Sequence, residues 1–399
     1  MQLERIVLFV VWFLCLRSDT YGVNGRRIIS KEEDMELEKQ LKLINKPPVK
    51  SIQTAHGHVV DCIDIEKQLA FDHPLLKDHK IQRRPSFRQG TTKKVESGGH
   101  LLSSTPPVIG LEDIDACPLG TVPIRRATKE DLIAAKSLST NFHTQSATTP
   151  GTDYAILQMQ KNDVRSYQEI EAEINVYNPR VKEGETFAYI SVRGGPDEDI
   201  NLVSTGWMVS PSRYGDTSSH FFTLWTRDAF KTTGCYNTLC PGFVQIDPKF
   251  YPGSALPNAS VPSGPDQFAM PASLSQDEKN NWWLTITGTR LGYFPAELFS
   301  TLKNPAETVV WGGAAISSLD GVSPPMGSGI FPSFEPNISC DFTNMWYRSA
   351  SGKHNGPHKP FYDIIIDNPA CYRLKYYGYL DDKAKFALQF GGPGGNCGP

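Results

Sequence analysis

The stretch Ile170-Glu-Ala-Glu-Ile-Asn-Val176 decides the fold, because apolar and polar residues alternate through it without a break. Successive side chains of a β-strand point to opposite faces, so this alternation predicts a half-buried strand. Similar short segments follow along the chain and are also predicted to be strands: Thr186–Val192, Leu202–Val209, Phe221–Thr226, Trp282–Thr287, Thr308–Trp311, Phe361–Ile366, Tyr372–Tyr377 and Lys385–Phe390. Turn residues separate these segments at short intervals, and no sustained helical periodicity competes with them.

The composition agrees with an all-β fold class. The chain contains 33 glycines and 30 prolines, a mix that favours many turns over long helices. Many short strands in one domain predict an antiparallel sandwich or barrel. Lys and Arg number 40 against 43 Asp and Glu, and no basic stripe stands out. A nucleic-acid partner is therefore not expected.

The N-terminus has the pattern of a secretory signal. A lone Arg5 precedes an apolar run from Ile6 to Leu16, and polar residues follow at once. The run suits the apolar core of a signal peptide and is too short to span a bilayer. We predict a signal peptide over residues 1–22, a secreted protein, and no membrane attachment after its removal.

Between the signal peptide and the strands we predict a small mixed α/β pro-region over residues 23–145. Its first helix is indicated by Ser30-Lys-Glu-Glu33, which fits a capping box. A linker over about residues 86–106 is rich in small and polar residues, and we expect it to be exposed and open to proteolysis. The strand-rich domain then occupies residues 150–399.

Cysteine usage supports an oxidising compartment. Of the eight cysteines, Cys15 leaves with the signal peptide, and most of the other seven are expected to pair. Cys235 and Cys240 enclose four residues, and we predict a disulfide that closes this short loop. Other pairings cannot be derived from the sequence alone.

Two of those other pairings are hypotheses. Cys62 could pair with Cys117 inside the pro-region, and Cys371 with Cys397 near the C-terminus. The remaining thiol, Cys340, would then be free.

Several local motifs give only weak signals of a functional site. Asn258-Ala-Ser260 and Asn337-Ile-Ser339 are sequons, so Asn258 and Asn337 are candidate glycosylation sites. His354-Asn-Gly-Pro-His358 has metal-ligand spacing, but Gly and Pro forbid the helix that would align both rings, so a loop is expected and no metal site is predicted. Gly327-Ser328-Gly329 lacks the nucleophile-elbow pattern of serine hydrolases and is interpreted as a turn.

The segment Val60-Asp-Cys-Ile-Asp-Ile-Glu-Lys-Gln-Leu-Ala-Phe-Asp-His-Pro-Leu-Leu-Lys77 resembles the activation peptide of the neprosin family. These are plant secreted proteins whose founding members are glutamic peptidases that cut after proline. Blocks similar to the family's main domain follow in order: Gly206-Trp207, Tyr214-Gly215-Asp216, Gly234-Cys235-Tyr236, Cys240-Pro-Gly-Phe-Val-Gln245, Asn281-Trp-Trp283, Gly292-Tyr-Phe-Pro295, Trp311-Gly-Gly313, Met326-Gly-Ser-Gly329 and Phe390-Gly-Gly-Pro-Gly394. The resemblance implies a two-sheet antiparallel β-sandwich with a cleft across one sheet. It also implies that the protein is located in the apoplast or cell wall.

The two family positions that carry catalytic glutamates are occupied by other residues. One glutamate precedes the Gly-Trp pair by two residues, and here that position is Ser204. The other follows Trp-Gly-Gly directly, and here that position is Ala314. A glutamic peptidase needs one carboxylate as general base and one protonated carboxyl as general acid. Each such group contributes about 10²–10⁴-fold, so the loss of both predicts an inactive homologue, a pseudopeptidase.

Other acids could in principle replace the missing pair. Asp197, Glu198 and Asp199 follow a Gly-Gly-Pro turn and are interpreted as a solvated turn. Glu307 is interpreted as a surface charge at a strand end. The alternative function, an active proline-directed endopeptidase that uses such residues, stays open.

The resemblance also suggests what the cleft binds. Candidate cleft residues, taken from the blocks that resemble the family, are Tyr214, Trp207, Trp311, Gly312 and Gly313. The alternative for the two tryptophans is a place in the core. The expected partners are a peptide, in particular a proline-rich one that docks on aromatic side chains, or a cell-wall polymer, together with the protein's own pro-region. No cofactor is predicted.

Overall fold

The computed structural model describes residues 30–86, 104–105, 110–111, 116–142, 151–160, 166–318 and 320–397. The predicted signal peptide and most of the predicted linker lie outside these residues. The sequons, the cysteines from Cys62 onward and both substituted catalytic positions lie within them.

The region before residue 150 combines helices with a small sheet. Its elements are α1 (Lys31–Ile44), β1 (Lys50–Gln53), β2 (Val59–Asp64), β3 (Ser104–Thr105), β4 (Thr121–Arg125) and α2 (Lys129–Phe142). The predicted capping box is present, because the Ser30 hydroxyl accepts a hydrogen bond from the Glu33 N–H at 3.1 Å. Strands β1, β2 and β4 pair antiparallel. Helix α2 was not predicted from the sequence.

Strands dominate the rest of the chain. They are β5 (Thr152–Met159), β6 (Tyr167–Asn175), β7 (Glu185–Gly194), β8 (Asn201–Val209), β9 (Ser219–Thr226), β10 (Cys235–Tyr236), β11 (Val244–Gln245), β12 (Gln267–Gln276), β13 (Trp282–Ile286), β14 (Thr289–Phe294), β15 (Thr308–Ile316), β16 (Cys340–Ser349), β17 (His354–Asn355), β18 (Tyr362–Ile366), β19 (Arg373–Tyr379) and β20 (Phe386–Gly391). One short helix, α3 (Pro211–Tyr214), follows β8.

These strands form two sheets that pack face to face, as predicted. One sheet has the order β10-β9-β8-β7-β15-β5-β18, and the other β11-β14-β13-β12-β6-β16-β20-β19, with β17 beside β16 and β3 beside β12. All pairs are antiparallel except β3 with β12. Every strand predicted from the sequence has a counterpart. The all-β sandwich, preceded by a small mixed α/β region, is therefore confirmed.

The main core lies between the two sheets. On β6, Ile170, Ala172 and Ile174 face this core and are at most 1% exposed. The expectation of a half-buried strand is only partly right, however, because Glu173 on the other face is 6% exposed and Asn175 is 4% exposed. Side chains of neighbouring strands cover this polar face, which alternation alone cannot predict.

The N-terminal region packs firmly onto the sandwich. The buried side-chain amide of Gln68 accepts a hydrogen bond from the Gln245 N–H at 2.8 Å and donates to the Gln245 carbonyl at 3.1 Å. Leu76 is fully buried in the main core. Residues before the predicted linker are therefore part of the folded body, in accord with the pro-region being a partner of the sandwich.

Three disulfides join Cys62 to Cys117, Cys235 to Cys240 and Cys371 to Cys397. The predicted Cys235–Cys240 pairing and both hypothetical pairings are thus present. Cys340 is buried and outside any disulfide. Several disulfides in one chain indicate an extracellular protein.

Three further observations concern membrane-spanning helices, metal-binding clusters and the placement of His354. Within the described residues, no helix combines the length and the apolar character needed to cross a membrane. In the same part of the chain, no three His, Cys, Asp or Glu side chains converge to hold a metal ion. His354 forms part of β17 and lies 3.5 Å from the Glu169 carboxylate, whereas a loop was expected there.

Candidate functional site

Three adjacent strands bring the two substituted catalytic positions to one face of the seven-stranded sheet. Strand β7 lies between β8 and β15. Ser204 of β8 is opposite Ser191 of β7, and Ala314 of β15 is opposite Phe187 of β7. Ser191 and Phe187 are an even number of residues apart, so they share a face, about 13 Å apart along the strand.

Tyr189 lies midway between these two positions. Its neighbours in the ladder are Gly206 on β8 and Gly312 on β15, so no side chain stands on either side of its ring. Both glycines are required by close packing. A Cβ on Gly206 would lie 1.9 Å from the Ala188 carbonyl oxygen, and one on Gly312, whose φ is 147°, 2.3 Å from the Ala155 carbonyl oxygen. This face of the sheet forms the floor of the site, where the Tyr189 ring has an open space on each side, at Gly206 and at Gly312.

A pocket forms above this floor and encloses about 410 Å³ of space, counted to its open mouth. Its walls are mostly aromatic and aliphatic. The lining residues are Thr152, Tyr154, Phe187, Tyr189, Arg193, Leu202, Ser204, Phe222, Leu224, Tyr236, Ala314 and Ile316. None of these described residues carries a carboxylate, so Ser204 and Ala314 open into a pocket whose lining has no acid.

The Ser204 hydroxyl does not have the partners of a nucleophile. It donates to the Ser191 hydroxyl at 2.8 Å, and the Ser191 hydroxyl donates to the Val203 carbonyl at 3.2 Å. Ser204 is 4% exposed. A serine nucleophile requires a base that removes its proton, and this chain of hydroxyls ends on a backbone carbonyl instead.

Two tyrosines of the pocket, Tyr189 and Tyr236, keep their protons near neutral pH. Burial raises the pKa of Tyr189 and raises the pKa of Tyr236 well above its usual range. The positive charge of Arg193 partly offsets the effect on Tyr189. Neither hydroxyl can serve as a general base near neutral pH.

Not every predicted cleft residue lies in this pocket. Trp207 and Trp311 are fully buried in the core between the sheets, where their indole N–H groups donate to the Asn175 and Glu171 carbonyls at 2.8 and 3.1 Å. Each is three residues from a substituted position, and an odd separation on a strand means the opposite face. Strand parity could therefore have excluded both tryptophans from the cleft.

Of the other three predicted cleft residues, Gly312 is opposite Tyr189 in the floor of the site, whereas Gly313 and Tyr214 lie outside the pocket. Gly313 faces the core, since a Cβ there would meet the Phe390 ring at 2.2 Å. Tyr214 belongs to the apolar cluster that surrounds the pocket and stacks on His220 with 3.7 Å between ring centres. It supports the pocket wall from behind.

None of the acids considered as replacements is among the residues that line the pocket, although the Glu307 N–H donates to the carbonyl of the lining residue Arg193 at 2.8 Å. Residues 197–199 form a short exposed helical turn, as expected for a solvated turn. Glu307 precedes β15 and accepts a hydrogen bond from the Gly195 N–H at 3.1 Å. Both placements agree with the structural interpretation of these acids.

Sequence reasoning missed most of the pocket lining. Leu202 is two residues from Ser204, and Phe187 and Tyr189 alternate on β7. Their period-two spacing was a usable signal for a shared face. Arg193, at the end of β7, continues the same spacing and was also missed, although it is the cation of the pocket.

Comparisons with known proteins agree with this geometry. The neprosin family model matches residues 182–393, more than half of the chain, and the neprosin activation peptide model matches residues 51–169. Among solved structures, the sandwich is similar to scytalido-glutamic peptidase with a transition state analog inhibitor, at 14% identity and a TM-score of 0.35 over 60% of this chain and 98% of that one.

Two further solved structures are similar to this chain at comparably low sequence identity and TM-score. SCP-B, a member of the eqolisin family of peptidases in complex with the tripeptide Ala-Ile-His, is 13% identical, with a TM-score of 0.32 over 60% of this chain and 98% of that one. A family 16 endo-glucanase from Bacteroides ovatus is 14% identical, with a TM-score of 0.26 over 41% of this chain and 67% of that one. Since the family model spans residues 182–393 and the activation peptide precedes it, the chain belongs to the neprosin family.

Proposed function

We propose that this protein is a secreted, catalytically silent member of the neprosin family that binds peptide through the pocket of the seven-stranded sheet. One observation carries the proposal. Ser204 and Ala314 open into one pocket, and none of its described lining residues supplies an acid. The site keeps the shape of a substrate cleft without the groups that activate water.

The character of the lining supports peptide as the ligand. Aromatic side chains such as Phe187, Tyr189 and Phe222 offer flat apolar surfaces for a chain that contains proline. A proline-rich peptide loses little conformational entropy on binding, since its backbone is already ordered. A cell-wall polymer whose sugar rings stack on the same aromatics is the second candidate ligand.

The alternative, an active endopeptidase, would need a carboxyl group near the pocket. Two carboxyl groups adjoin the lining: Glu185, which is opposite Ile316 in the ladder, and Asp367, which follows β18 and accepts a hydrogen bond from the Tyr154 N–H at 2.9 Å. Asp367 is exposed and does not line the pocket. Glu185 accepts hydrogen bonds from the Ser210 hydroxyl and the Arg213 guanidinium. Asp367 alone cannot act as both general base and general acid, so this alternative is the weaker one.

Further parts of the proposal concern processing and location. We place the protein in the plant apoplast or cell wall, with glycans on Asn258 and Asn337, and with a pro-region that ends near residue 145. Peptide mass mapping of the secreted protein, before and after enzymatic deglycosylation, tests the glycans and the mature N-terminus together.

The decisive experiment joins proteolysis with binding. The wild-type protein and the double variant Ser204→Glu/Ala314→Glu are incubated with a proline-rich, gliadin-like peptide from pH 2 to 7. Asp367→Asn is the matched variant for the alternative. Wild-type binding of the same peptide is measured by fluorescence anisotropy.

We expect saturable binding and no cleavage by the wild type, and cleavage after proline by the double variant. Cleavage by the wild type, with Ser204 and Ala314 in place, would overturn the proposal. Loss of that cleavage in Asp367→Asn would then identify the residue responsible. Absence of peptide binding would refute the binding half of the proposal.

A further inference from the structure

The pocket has a net charge opposite to that of a glutamic peptidase. Where the family has two carboxyl groups, the lining here has none, and it has one guanidinium, that of Arg193. Arg193 lies on β7 two residues from Ser191 and four from Tyr189, so all three share the pocket face. Arg193, Tyr189 and Ser204 line the same pocket, and the positive charge of Arg193 partly offsets the rise that burial causes in the pKa of Tyr189.

Arg193 has unused hydrogen-bonding capacity. Within the described part of the chain its guanidinium forms no ion pair, and its Nε is buried without a hydrogen-bond partner. The side chain is half-buried, and its Nε has lost hydration without gaining a hydrogen-bond partner, which is unfavourable. A ligand carboxylate would supply a counter-charge and two acceptor oxygens at once.

We propose that the pocket binds the C-terminal end of a peptide, with its free carboxylate on Arg193 and an apolar last side chain among the aromatic residues. This inference rests on the proposed function, that of a silent peptide-binding protein, and names the part of the peptide that is recognised. The Ser204 hydroxyl lies within the same lining and can donate to the carboxylate once it turns from Ser191.

A peptide terminus fits this lining better than an acidic sugar polymer. A uronic acid chain has a carboxylate on each ring but also hydroxyls that need partners. Most of the pocket wall is apolar, with Leu202 opposite Arg193 in the ladder and with Phe222 and Leu224 elsewhere in the lining. An apolar side chain beside a single carboxylate satisfies such a wall without leaving polar groups unpaired.

The test compares two acetylated, fluorescently labelled peptides of one sequence that ends in Pro-Phe, one with a free C-terminal carboxylate and one amidated. Both are titrated at pH 7 against the full chain, against Arg193→Met, and against Arg290→Met as the matched control. Arg290 lies exposed on β14, in the other sheet. Circular dichroism and thermal unfolding check that each variant is folded.

We expect the free acid to bind the wild type about 10-fold or more tightly than the amide, as for loss of a charge-assisted hydrogen bond. Arg193→Met should remove this preference, and Arg290→Met should keep it. If Arg193→Met does not fold, the test uses the ratio of the affinities for the free-acid and amidated peptides, measured on the wild type and on Arg193→Lys. We expect a smaller ratio for Arg193→Lys, because lysine cannot form the bidentate hydrogen bonds of a guanidinium.

The outcomes separate this inference from the proposed function. Equal binding of acid and amide overturns the recognition of the terminus and leaves peptide binding intact. Binding of neither peptide, with binding of an oligogalacturonate instead, replaces the peptide by an acidic polymer and overturns both.

Discussion

Glu173 should make the protein less stable as the pH rises from 5 to 8. It lies on the polar face of β6 and is only 6% exposed. Burial raises its pKa from 4.5 to about 7, and the charge of Glu171, whose own pKa is also raised to about 7 by burial, adds to the effect. The folded protein therefore keeps a proton on Glu173 at a pH where the unfolded chain has lost it.

The sign and size of this change in stability follow from the linkage between proton binding and folding. Below pH 4.5 the Glu173 carboxyl group is protonated in both the folded and the unfolded state, so the fold buries only its neutral form. Between pH 4.5 and about 7 only the folded state binds the proton, and stability falls as the pH rises. At 1.36 kcal/mol per unit, the shift of Glu173 corresponds to at most about 3 kcal/mol. Because Glu171 and Glu173 titrate together, we expect about 1–3 kcal/mol.

The assay is denaturant unfolding of the wild type and of Glu173→Gln at pH 5 and pH 8. Glutamine has the shape of the protonated acid, so the variant should match the wild type at pH 5 and exceed it by about 1–3 kcal/mol at pH 8. Glu169→Gln is the matched control on the same strand. For Glu169, burial raises the pKa, but hydrogen bonds from His354 and Arg348 outweigh it and hold the pKa below its ordinary value. This control should be less stable than the wild type at both pH values.

The difference between variant and wild type isolates the group from all other titrations. A Glu173→Gln effect that is the same at pH 5 and pH 8 would refute the reasoning, because it would mean that Glu173 ionises alike in both states. An equal gain from Glu169→Gln at pH 8 would show that general charge repulsion, and not burial of Glu173, sets the pH dependence.

Two further predictions concern the framework. Gly206→Ala should lower the free energy of unfolding by about 3 kcal/mol or prevent secretion, because its Cβ would lie 1.9 Å from the Ala188 carbonyl oxygen; thermal unfolding of secreted protein measures this. A protease site placed within residues 87–103 should allow a cut that does not release the preceding segment, since the Cys62–Cys117 disulfide joins the two sides of the cut. On gels, the cut protein should separate into two pieces only after reduction, and separation without reductant would contradict the prediction.

Much of the sandwich could be predicted because its strands alternate. The regular segment from Ile170 to Val176 and the eight further predicted strands all have counterparts. The pairing order could not be predicted in the same way. Neighbours such as β7 and β15 are far apart in sequence, and the choice between them depends on packing of whole faces, which no local pattern encodes.

The site shows the same division between local and non-local information. The resemblance to the family identified Ser204 and Ala314 from adjacent Gly and Trp residues, and the structure brings both to one pocket. The tryptophans themselves were assigned to the cleft on their chemistry, although their odd spacing from the two positions puts them on the core face. Arg193 had no motif of its own, and only the register of β7 relates it to the site.

Arg193 also determines what restoring the glutamates should achieve. A carboxylate at position 204 would lie beside this guanidinium, which would stabilise its ionised form and lower its pKa. The family chemistry needs one of the two acids to stay protonated, so the double variant should cut slowly unless position 314 supplies that acid. Adding Arg193→Leu to Ser204→Glu/Ala314→Glu should therefore raise kcat/KM on the proline-rich peptide by about 10-fold and move the pH profile upward. Equal rates and equal pH profiles for the double and triple variants would show that the guanidinium does not reach the carboxylate, and the charge reversal of the pocket would then have no bearing on its lost activity.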